Sequence, residues 1–143
     1  MIVADDFGRV IGGPCDAIPE GPGGWASWDM LGRDAAIAPT LGLFQQARAA
    51  GVAVFLITGR PEAQRAATER NLRDAGYGGY DQLVMVPDGQ HFASAADYKT
   101  PVRARIEAGG HTIIANMGDQ PPDLAGGHAE RTFLLPNPSY RIR

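Results

Sequence analysis

A single cysteine, Cys15, stands among 143 residues. No disulfide can close within the chain, so a disulfide-built scaffold is excluded. Long apolar runs are equally scarce. The longest extends only from Val52 to Ile57, far short of the roughly 20 residues that cross a bilayer as a helix. Basic charge is not in excess, since 13 Lys and Arg against 16 Asp and Glu leave a net charge of −3. No positive field therefore invites nucleic acid or an anionic membrane, and neither is expected as a partner. The opening Met1-Ile2-Val3-Ala4-Asp5-Asp6 has acid where a signal peptide needs a basic start and an apolar core, so no export signal is expected in it.

What the chain does have is the balance of a folded protein, with 44% apolar and 20% charged residues. That argues against disorder, and the length suits one domain over residues 1–143. Glycine and proline are plentiful, 19 and 11. Nine of the 17 residues from Gly8 to Gly24 are one or the other, a density that no helix or central strand tolerates. Residues 8–36 are expected to form an irregular, cap-like segment, with Trp25 and Trp28 pinning it to the core or facing a ligand.

Beyond it the pattern becomes periodic. Ile37, Leu41, Phe44 and Ala47 fall at helical spacing, with Pro39 suited to the first turn and Gly51 to the stop. Val52–Ile57 reads as a strand buried on both faces. A second helix opens at Pro61 and runs to about Ala75, ended by Gly76. The stretch 82–86 is the next strand, Lys99 to about Ala108 a third helix, His111–Met117 another buried strand, and Thr132–Leu135 the last. Alternating helices and strands predict an α/β domain with a mostly parallel sheet, whose ligands bind beyond the carboxyl ends of the strands.

Two strand ends and one helix start carry chemistry. Thr58-Gly59-Arg60-Pro61 joins a strand to a helix, either as a plain turn or as an anion cradle of hydroxyl and backbone N–H groups. Asp119 and Asp123 lie four residues apart after another strand, either a solvated acidic loop or a pair of oxygen donors for a hard cation such as Mg²⁺. Lys99 would balance phosphate and carboxylate charge together, or simply face water. Asn116 could position the acidic turn or cap its own strand end. His91, His111 and His128 have no metal-binding spacing, and Cys15 has no base beside it.

In this order these pieces resemble the HAD superfamily, subfamily IIIB acid phosphatases, a group that includes plant vegetative storage proteins. The matching text is Ala38-Pro39-Thr40-Leu41, Phe55 through Glu62, Ala67 through Leu72, Tyr98-Lys99, Ala115 through Gln120, Asp123 through Gly127 and Leu135 through Pro138. The resemblance implies a HAD-like Rossmannoid fold and Mg²⁺-dependent hydrolysis of small phosphomonoesters. It implies catalytic roles for Thr58 and Lys99, phosphate binding by Thr58, Gly59, Arg60 and Lys99, and Mg²⁺ binding by Asp119 supported by Asp123. Members of this subfamily are commonly exported.

The family's first motif, D-x-D-x-T at the end of the central strand, is not present in the sequence. Its first Asp attacks phosphorus and its second is the general acid and base. Placing Asp5 as nucleophile would put Phe7 and Arg9 at the other two positions, where neither can act. The expectation is therefore a chain that starts after the nucleophile, lacks the central strand, and is crippled as a phosphatase. A non-catalytic phosphate-binding, storage or interaction protein is the alternative. Without that strand, the sheet should close up, fill the slot with another segment, or associate with a second copy through exposed edges.

Overall fold

The computed structural model describes residues 25–136. Its centre is a pair of parallel strands, β1 (Phe55–Pro61) and β2 (Gln82–Val86), in the register Leu56↔Leu83 and Ile57↔Val84. Before them come α1 (Trp25–Leu31) and α2 (Ala38–Ala49). A 3₁₀ turn, Glu62–Gln64, leads from β1 into α3 (Arg65–Asp74). Then follow α4 (Ala95–Ala108), β3 (Asn116–Gly118), the single turn α5 (Pro121–Leu124) and β4 (Thr132–Leu134). β3 pairs only with β4, again in parallel, so among the described residues the strands form two separate pairs.

Helices cover both faces of β1–β2. On one side Phe44, Leu56, Leu72, Tyr77, Leu83 and Met85 form a buried cluster, with Phe44 and Tyr77 in edge contact at 5.2 Å. On the other, Val86, Tyr98, Val102 and Ile106 pack against Phe55, Ile57 and Ile113. This layering gives the expected mixed α/β, HAD-like architecture and explains the unbroken apolar text of the first strand.

Glycines end the three main helices in one way. Past α2, α3 and α4, Gly51, Gly76 and Gly110 have φ of 74°, 90° and 91°. In each case the next residue's N–H returns to a carbonyl of the last turn, as Val52 does to Ala47 at 2.9 Å and Tyr77 to Leu72 at 2.8 Å. These are Schellman closures, which need the left-handed conformation that glycine adopts freely.

The boundaries differ from expectation in instructive places. Residues 8–24 of the Gly/Pro-rich segment lie outside the described residues, and the rest of it is not wholly irregular, since 25–31 are helical. β1 begins three residues late because the Asp81 carboxylate takes the Val54 N–H at 2.7 Å, displacing a ladder bond. α4 begins four residues early, at Ala95. Ser94 caps it by accepting the Asp97 N–H at 3.2 Å, leaving Pro101 inside the helix. The signal was there in Ser94-x-x-Asp97. Ser94→Ala is expected to lower stability by about 1 kcal/mol in urea unfolding, the usual worth of such a cap.

The strand expected over His111–Met117 shrinks to 116–118, and it is not a buried one. Ile114 is 51% exposed, and Phe133 and Leu134 of β4 are 47% and 58% exposed. A strand buried on both faces needs a neighbour on each edge, and among the described residues 111–117 has one. The flanking strands have not closed up: a cleft of about 630 Å³ separates the stretch 52–57 from the stretch 111–117.

Candidate functional site

The lining of this cleft includes Ile57 of β1, Met117 of β3, Lys99 and Asp123. Lys99, in the second turn of α4, donates to Asp123 at 2.5 Å, and both side chains are largely buried. The other Asp123 oxygen accepts the Gln120 N–H at 3.2 Å, which closes the first turn of α5. Asp119 is 6% exposed and accepts from the Gln120 side chain at 3.3 Å. Lys99 and Asp123 thus meet directly, and Asp119 lies on the same loop, bonded to Gln120.

The loop carrying the acids is held from beneath by a residue that the sequence reading passes over. Arg103, one turn beyond Lys99 on α4, is 2% exposed. Its guanidinium donates to the carbonyl oxygens of Asp123 at 2.9 Å and Gly127 at 3.0 Å, and to that of Ala125. Burial lowers its pKa from the usual arginine value, and the negative charge of Asp123 opposes that shift. The fork geometry of arginine lets one side chain gather several carbonyls, which a lysine cannot do. Asn116 adds a further tie, donating from its side chain to the Asp123 carbonyl at 3.0 Å.

The Thr58 end is arranged differently. The Thr58 hydroxyl accepts the Arg60 N–H at 3.2 Å, a local turn bond. Space beside the Gly59 Cα is open, with nothing within 4 Å of where a Cβ would stand. The Arg60 side chain turns the other way, pairing with Asp34 at 2.5 Å and Asp29 at 2.9 Å. Asp34 also accepts from the Trp28 indole at 2.6 Å, and Asn71 binds its backbone on both sides. Arg60 therefore ties α1 and its linker to the end of β1, and a phosphate would have to compete with two carboxylates for it.

As a host for Mg²⁺ the described residues do not fit the expected two-carboxylate set. Both Asp123 oxygens are engaged, by Lys99 and the Gln120 N–H, and Asp119 itself accepts from the Gln120 side chain. Among the described residues no three His, Cys, Asp or Glu side chains converge as a metal would require. The histidines take no part: His128 pairs with Glu107 at 2.6 Å and His111 stacks edge-on to Phe55 at 4.9 Å.

Comparison with known proteins agrees with this architecture. Residues 18–143 match the family described as HAD superfamily, subfamily IIIB (Acid phosphatase). Acid phosphatase 1 of Solanum lycopersicum is 37% identical over 116 residues, covering 80% of this chain and 46% of that protein. A stem 28 kDa glycoprotein of Glycine max is 35% identical, over 81% of this chain and 47% of its own length. Vegetative storage protein 1 of Arabidopsis thaliana is 31% identical, over 85% and 45%. The chain spans a little under half the length of these relatives.

Proposed function

The chain belongs to the HAD superfamily, subfamily IIIB, and on that premise we propose that it binds phosphate or a small phosphomonoester at the strand ends without turning it over by itself. The observation that carries the reading is the Lys99–Asp123 pair, a buried cation beside the cleft, with Thr58 and its open Gly59 turn closing β1. An anion arriving there gains from the Lys99 ammonium. Electrostatic groups of this kind accelerate a reaction only when a nucleophile is present, and the sequence contains no D-x-D-x-T. Were Mg²⁺ to accompany the phosphate, Asp119 with water would be the donors to hold it, and the ion would supply neutralisation of the phosphate charge. The storage reading stays beside this one because relatives named vegetative storage proteins match as much of the chain as the phosphatase does.

Titration of the protein with inorganic phosphate, with and without Mg²⁺, tests the proposal calorimetrically. Saturable binding is expected, weakened at least about tenfold in Lys99→Met, roughly 1.4 kcal/mol. Binding that is equal in the variant would reject the site. An aryl phosphate assay with Mg²⁺ should give no turnover; hydrolysis that disappears in Asp119→Asn would instead identify a competent enzyme.

A further inference from the structure

α1 lies against the end of β1 without belonging to either apolar cluster. No residue from 26 to 31 is buried, and Met30 and Leu31 are about half exposed. The first buried residue past the helix is Asp34. What holds α1 down is polar. The Trp28 indole donates to Asp34 at 2.6 Å, Asp29 pairs with Arg60 at 2.9 Å, and Arg70 donates to the Met30 carbonyl at 3.1 Å.

Asp34 is fastened far more firmly. Asn71 accepts its N–H at 3.2 Å and donates to its carbonyl at 2.8 Å, while its carboxylate takes Arg60 at 2.5 Å. Between the lightly held helix and this anchor stands Gly32, at φ 61°. A residue without Cβ lets the backbone rotate with little strain, which is what a hinge requires.

The two carboxylates meet on a single atom. Both Asp29 and Asp34 draw on Nη2 of Arg60, and among the described residues Nε and Nη1 have no partner. This arrangement holds the guanidinium away from Thr58. A phosphate that reaches the open edge of the fork makes a bidentate pair and sets a third negative charge beside two carboxylates. Asp34, with its side chain 2% exposed, cannot withdraw. Asp29, at 14%, can do so by taking α1 with it.

We propose that α1 is a flap hinged at Gly32 and latched shut by Asp29 on Arg60, and that phosphate captured by Arg60 opens it. The inference rests on the reading that the strand ends take phosphate, and it adds regulation of that site. Flap closure and phosphate occupancy oppose each other, by equal amounts in either direction.

Both tryptophans of the chain, Trp25 and Trp28, lie in α1, so intrinsic fluorescence reports on the flap. Inorganic phosphate is titrated into the full chain at constant ionic strength, with calorimetry alongside. Emission should move to longer wavelength, and acrylamide quenching should rise at least about twofold at saturation. Asp29→Asn should keep its circular dichroism and show the open emission without phosphate. It should also bind phosphate at least about threefold more tightly, because the closed state no longer competes. Removing a residue that only braced the fold would not raise affinity. Calorimetric binding with unchanged emission would overturn the flap and leave phosphate binding in place. Native emission or unchanged affinity in Asp29→Asn would overturn it as well. Absence of calorimetric binding would reject the phosphate reading and the trigger together, and the Asp29→Asn emission would then decide the latch.

Discussion

Replacing Arg103 with methionine is expected to destabilise the fold by about 3–5 kcal/mol, the range for removing one side of a buried polar network. The side chain is buried and gathers the carbonyls of Asp123, Ala125 and Gly127. Methionine fills much of the volume and supplies no donor, so those oxygens lose their partner in a place with little access to water. Arg103→Lys should recover part of the loss, since an ammonium can reach one or two carbonyls without spanning all three. Urea unfolding of both variants gives the two numbers. A loss under 1 kcal/mol for methionine would mean that the loop holds its shape without the guanidinium. The same variants bear on function, because the loop carries Asp119 and Asp123: phosphate affinity should fall in parallel with stability.

The second large effect is expected at Gly118. A Cβ there would stand 2.3 Å from the Asp123 Cβ and 2.8 Å from its Oδ2. The near atom is the root of a buried side chain, which cannot swing aside as a flexible tip would. Gly118→Ala must therefore push Asp123 from Lys99 or shift β3 from α5. Overpacking of this kind costs about 1–3 kcal/mol, and parting a buried ion pair adds to it, so a total on the order of 3 kcal/mol is expected. The measurement is again urea unfolding, paired with phosphate titration. An alanine variant of native stability would show that Asp123 moves freely.

These two residues mark what was and was not legible. Lys99, Asp119 and Asp123 stand out in the sequence because each belongs to a local pattern at a strand end or helix start. Arg103 could not, because an arginine in a helix reads as solvated until the loop it holds is placed against it. Gly118 reads as a turn glycine, yet it sits in a strand with no positive φ; the need for it arises from Asp123, five residues on, folding back over it. Arg60 misleads in the opposite direction. Beside Thr58 it looks like a phosphate ligand, while its partners Asp29 and Asp34 come from 31 and 26 residues away and draw the guanidinium to the other side.

The scarcities noted first were decided by the sequence alone. One cysteine, no bilayer-length apolar run and no basic excess bounded the chemistry, and the helix and strand periods with their glycine stops placed the elements to within a few residues. Those are local properties, fixed by side-chain spacing and backbone freedom. The strand reading of His111–Met117 marks the limit. Its apolar text matches that of β1, but burial depends on what lies across both edges, and among the described residues one edge is paired while the other faces a cleft. Edge partners are supplied by distant parts of a chain, so only the tertiary structure could decide them.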